Sequence, residues 1–203
     1  MIEHKNPESQ GETISQGLSV TVTTYQTVGP YFKIGLEALY RGDLTKPDIP
    51  GQVIEISGTV FDADLAPVPD AVLELWQADS FGRYMIEPQK KPFEDSFGFG
   101  RVPTNEAGQF RFRTIKPGGA QAETRARQAP HILVSIFMRG LLYRLITRIY
   151  FSDEAGNADD PVFQSIEPNR RGTLLAKADP AQPHRYEWNV FLQGENETVF
   201  FDL

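Results

Sequence analysis

Residues 130–151 read PHILVSIFMRGLLYRLITRIYF, the densest apolar run of the chain, and the reading of this stretch decides the fold. β-branched and aromatic residues fill both halves, and Arg139-Gly140 parts them, which suits two strands better than one helix. The run nearly matches a bilayer in length. Arg139, Arg144 and Arg148 would each cost roughly 3 kcal/mol at membrane depth, however, and Gly140 interrupts it, so a membrane span is rejected. Alternation places His131, Leu133, Ser135, Phe137 and Arg139 on one face of the first strand and Ile132, Val134, Ile136 and Met138 on the other, which is core. In the second strand Leu145, Thr147, Ile149 and Phe151 oppose Arg144, Ile146, Arg148 and Tyr150, the pattern of a half-buried strand.

Working outward, 203 residues with 40% hydrophobic content suffice for one domain with a full core, and we expect a single domain over 1–203. A net charge of -7 disfavours nucleic acid and anionic membranes as partners. Cysteine is absent, which rules out disulfides, a thiol nucleophile and thiolate metal sites. The polar N-terminus shows no secretory pattern, so a cytoplasmic location is expected, with residues 1–22 as a flexible or partner-ordered arm.

After the arm, TVGPYF turns sharply at Gly29-Pro30, and a short helix through Leu36 and Leu39 is predicted, ending by Gly42. Strand patterns follow at VIEISGTVF, AVLELWQAD and QFRFR, then, beyond the central pair, at TLLAK, HRYEWNVFLQ and ETVFFDL. Ser80–Pro103 and Gly118–Ala129 read as long loops, of the kind that is functional or covered by a partner. A short helix is predicted between Pro161 and Ile166. Eight or nine strands with no long helix favour a mostly antiparallel β-sandwich with long loops.

Histidine occurs only at His4, His131 and His184, so an all-histidine metal site is excluded. His131 alone is a satisfied structural histidine or a ligand. Glu94-Asp95 and Asp159-Asp160 sit in loops and read as solvated charge. Arg139, at the edge of an apolar run, needs an anion, either a neighbouring loop's carboxylate or a ligand's.

The ordered set TVGPYF, GTVFDADLAPVPDAVLELWQAD, GRY, TIKPG, APHILVSIFMRG, TRIYF and GENETVFFDL resembles the intradiol ring-cleaving dioxygenases from about Thr23 to Leu203. The resemblance implies a β-sandwich and a ferric ion held by two tyrosines and two histidines, the histidines as H-x-H on a strand. Tyr84 matches the first tyrosine and His131 the first histidine. Leu133 stands at the second histidine position, and Gly118-Gly119-Ala120 lacks the second tyrosine. The set therefore implies vestigial ligand positions at Tyr84, His131 and Leu133, no metal bound here and no catalytic residue in this chain alone. It implies an α-type partner of a homologous iron-binding β subunit, in αβ pairs that assemble further. Fe(III) would sit in the β subunit, where an aromatic acid and O2 react. The α contribution to that pocket falls on Thr27, Gly29, Pro30, Tyr31 and Arg139.

Two rivals follow from the same residues. The segment GTVFDADLAPVPDAVLEL with TNEAGQFRF also resembles transthyretin-like or collagen-adhesin modules, which are non-enzymatic. A self-sufficient dioxygenase would have to recruit His184, Tyr143 or Tyr150.

Overall fold

The computed structural model describes residues 24, 26–85, 97–120 and 127–202. The predicted arm at 1–22 and the Glu94-Asp95 pair lie outside them. Among the described residues there are nine strands: β1 (Val53–Phe61), β2 (Val72–Gln77), β3 (Phe99–Pro103), β4 (Gln109–Ile115), β5 (His131–Phe137), β6 (Leu145–Phe151), β7 (Leu175–Ala178), β8 (Arg185–Glu187) and β9 (Val190–Phe191). Of two short helices, α2 (Pro161–Gln164) stands where sequence placed it, whereas α1 (Tyr31–Gly35) ends before Leu36, and Leu39 falls in a separate 3-10 turn over Glu37–Leu39.

One layer runs β3-β2-β5-β6 in antiparallel register, and the second runs β4-β1-β8. β7 joins the layers, parallel to β6 and antiparallel to β8. On the open side Arg41 bridges to Arg101 of β3 and Asp43 to Arg113 of β4, so residues 41–43 stitch the free edges and seal Leu44 beneath them. Free strand edges invite pairing with other chains, and this segment covers them.

The period-two patterns explain the core. Ile54 and Ile56 of β1 face Leu73 and Leu75 of β2, Phe110 and Phe112 of β4, and Ile132, Val134 and Ile136 of β5 within a single buried cluster. Each such side chain stabilises the fold by about 1.5–3 kcal/mol relative to exposure. The predicted core face of the first central strand is therefore the buried one.

The structure departs from the sequence reading in four further places. β6 is not half-buried: a second cluster containing Phe163 of α2, Leu174 and Val199 covers its other face, leaving Tyr150 with no exposure. The stretch read as a loop from Ser80 to Pro103 ends in β3, whose periodicity is disguised because one of its inward positions is Gly100. The pairs β1 with β8, β1 with β9 and β6 with β7 are parallel. The ETVFFDL segment is irregular rather than a strand, since it bonds alternately to different elements: Thr198 to Phe191, Val199 to Thr147 and Phe201 to Ile146.

Candidate functional site

Two groups of predicted residues lie toward opposite ends of β5, whose seven residues span roughly 20 Å at about 3.3 Å per residue. At its start, His131 is buried, and its Nδ1 lies 2.8 Å from the Ala129 carbonyl. A carbonyl only accepts, so Nδ1 carries the proton and Nε2 is left as an acceptor. Tyr84 donates its hydroxyl to that Nε2 at 3.3 Å, and its ring stacks on Trp76 with centroids 6.0 Å apart. Burial, aided by the nearby Arg148 charge, pushes the His131 pKa down to about 4, so the imidazole is neutral. Burial also raises the Tyr84 pKa.

Among the described residues, the neighbouring groups add no ligand. Leu133, paired across the ladder with Trp76, presents an apolar side chain. No group of three His, Cys, Asp or Glu side chains able to hold a metal occurs among the described residues. Ferric iron takes hard, charged donors, and one neutral imidazole already bonded to one protonated phenol does not supply them. His184 is exposed on the far layer, and the buried Tyr150 hydroxyl contacts Asp160 and Arg148. Tyr143 is 62% exposed, beyond the other end of β5.

Asp160 corrects an expectation. Read as solvated charge, it has no exposure at all. Its carboxylate accepts from the backbone N–H groups of Val162 and Phe163 at 2.8 Å, capping α2, and from Ala129 N–H at 2.8 Å. It thereby fixes the residue whose carbonyl orients His131. Nothing in a DD pair distinguishes such a cap from surface charge except Pro161 immediately after it.

At the far end of β5 the structure brings together Thr27, Gly29 and the Arg139 turn. Thr27 Oγ1 accepts from Gly29 N–H and Gly140 N–H, both at 3.1 Å. The glycines are required by the backbone, with φ at +67° and +88°. Pro30 leads into α1, leaving Tyr31 80% exposed. Arg139 lies two residues past the end of β5 rather than on its face, because the chain turns at Gly140. Its Nε sits 2.9 Å from Asp70 Oδ2. The anion it meets in this chain is thus a neighbouring loop's carboxylate. Beside this corner an open groove of ≈ 540 Å³ is lined by Val28, Phe137, Met138, Leu142, Tyr143 and Phe201. Sequence reasoning missed Asp70 and this groove, because neither carries a local pattern.

Comparison with known proteins agrees with the fold and the motif order. A dioxygenase family model matches residues 28–194. The chain is 41% identical over 195 residues to the protocatechuate 3,4-dioxygenase alpha chain of Burkholderia cepacia, covering 89% of this chain and 97% of that one. It is 32% identical over 171 residues to the beta chain of the same organism's enzyme, covering 77% and 73%. Among solved structures, the dioxygenase domain of a carbohydrate-binding fusion from Streptomyces sp. SirexAA-E superposes with a TM-score of 0.60 at 27% identity, covering 79% of this chain and 89% of that one.

Proposed function

Since this chain belongs to the intradiol ring-cleaving dioxygenase family, we propose that it is the α chain of a heteromeric protocatechuate 3,4-dioxygenase, without iron of its own and inactive alone. The reaction is protocatechuate plus O2 to 3-carboxy-cis,cis-muconate, with the ring opened between its two hydroxylated carbons. Ferric iron, held by a homologous β chain, supplies the redox chemistry. This chain supplies none of it and instead completes the substrate pocket.

The observation that carries this reading is the contrast between the two ends of β5. At one end the remnant ligands are bonded to each other beside Leu133. At the other, Thr27 ties the Gly29-Pro30-Tyr31 turn to an arginine whose side chain is 60% exposed, beside a groove lined mostly by apolar residues together with Arg144 and Asp202. An exposed guanidinium next to an apolar wall suits an aromatic ring bearing a carboxylate. Thr27 and Gly29 hold the turn, Pro30 and Tyr31 present a surface, and Arg139 meets the carboxylate.

Steady-state kinetics of the assembled enzyme tests this. Arg139→Ala should lower kcat/KM for protocatechuate by about ten- to a hundredfold, the size of one charge-assisted contact. The loss on catechol, which has no carboxylate, should be smaller. Equal losses on both substrates would mean that Arg139 only shapes the pocket.

A further inference from the structure

The assignment of Arg139 leaves its partner unexplained. Asp70 sits in the loop entering β2, and hydrogen bonds from Lys33 and Thr104 brace that loop on either side of it. Lys33 of α1 donates to the Pro69 and Thr104 carbonyls at 2.7 and 2.8 Å. Ala71 N–H donates to Thr104 Oγ1 at 3.1 Å, and Thr104 N–H donates to the Ala71 carbonyl at 2.9 Å. The Asp70 side chain is only 14% exposed, and Oδ2 is shielded from solvent. Although Nε of Arg139 lies 2.9 Å away, Oδ2 has no donor aligned with it as a hydrogen bond, so the contact is one of charge and proximity.

The asymmetry within this pair is informative. A shielded carboxylate on a braced loop faces a long, flexible cation that is 60% exposed. The braced member sets the pose of the free one. The same helix that follows the Gly29-Pro30 turn braces the Asp70 loop through Lys33, and Thr27 of that turn holds Gly140, next to Arg139. The turn, the arginine and the carboxylate therefore form one connected corner.

We propose that Asp70 is a positioning residue for substrate recognition: it holds Arg139 by its Nε so that the guanidinium is already directed at the pocket when the carboxylate of an aromatic acid arrives. This rests on the reading of Arg139 given above. Asp70 touches no substrate and acts through the arginine. Its effect is preorganisation, because an arginine ordered before binding loses less freedom on binding.

The assembled α–β enzyme carrying Asp70→Ala or Asp70→Asn tests the idea against protocatechuate and catechol. The asparagine variant keeps the shape should alanine disturb the loop, and it lacks the charge that makes the contact. Both variants should raise KM for protocatechuate about three- to tenfold, the range expected for one unrestrained long side chain, with the smaller effect on kcat and on catechol. In an Arg139→Ala background the Asp70 substitutions should add nothing further, since the two residues act as one unit. A protocatechuate KM that is unchanged or lowered, or equal losses on both substrates, would overturn the role of Asp70. If Arg139→Ala is itself selective for protocatechuate while both Asp70 variants behave as wild type, this proposal fails and the reading of Arg139 stands. If Arg139→Ala is unselective, that reading fails and this one with it.

Discussion

Replacing Lys116 with methionine removes one enclosed cation whose partners the structure shows. Its side chain is 12% exposed, with Nζ 2.8 Å from Glu154 Oε1 and 3.0 Å from Asp153 Oδ2. The same nitrogen lies 5.1 Å from the Phe151 ring centroid and 5.4 Å from that of Tyr186. Burial alone would lower its pKa, but hydrogen bonds with Glu154, Tyr186 and Asp153 outweigh that and hold it above the ordinary lysine value. Methionine keeps the apolar stem and removes only the charge. The carboxylates are 43% and 29% exposed and can rehydrate, so each lost ion contact is discounted to about 0.5–1 kcal/mol. The two ring contacts add about 1 kcal/mol together. The total is about 2–3 kcal/mol, or a fall in Tm of about 5–10 °C for a chain of this size. Thermal unfolding followed by circular dichroism measures it. The pH dependence supplies a second test. The Asp153 pKa is lowered from 3.8 because hydrogen bonds to Lys116 and Tyr186 override the opposing effect of burial. A depressed carboxylate stabilises the fold above its unfolded pKa and loses that contribution as pH falls, so the gap between wild type and Lys116→Met should narrow below pH 3.8, with the share of the ring contacts remaining. A Tm change under about 2 °C at neutral pH would refute the reasoning, because it would put this site among ordinary surface ion pairs.

Three further outcomes are expected. His131, buried and neutral with a pKa of about 4, should make the fold lose about 3 kcal/mol as pH falls from 6.5 through 4, since the unfolded imidazole takes up a proton that the folded one refuses; His131→Phe should flatten that limb, and an NMR midpoint above about 6 would contradict it. Asp160→Ala should destabilise by about 3 kcal/mol in urea unfolding by stranding the buried Ala129 and Phe163 N–H groups and the partly buried one of Val162, with Asp160→Asn recovering part of the loss. The isolated chain, purified with iron present, should carry far less than one iron per chain by metal analysis and show no ferric–phenolate visible band; a stoichiometric coloured chain would contradict the proposal.

How far the residues alone could be read depends on whether the controlling contact is local. The alternation in VIEISGTVF, QFRFR and HILVSIF survives folding unchanged, because one face of each strand meets one core. β3 escaped notice because an inward glycine hides its period, and the burial of Tyr150 escaped because what covers it comes from α2 and residue 199. Asp160 and Asp70 illustrate the same limit. A carboxylate in a loop reads alike whether it caps a helix, holds an arginine or faces water, and only the distant groups that reach it decide. Thr27, Gly29 and Arg139 were named through family resemblance, and it is the fold that brings them to one corner.

The parallel pairing of β1 also constrains how the chain comes off the ribosome. Thr59 N–H bonds to Asn189 Oδ1 across a separation of 130 residues, and β8 and β9, which flank β1, are translated long after it. At about 5–20 residues per second, β1 spends on the order of ten seconds with that side unpaired. Closing so long a loop makes for slow folding. During that interval its Ile54 and Ile56 depend on β4 alone for a paired strand.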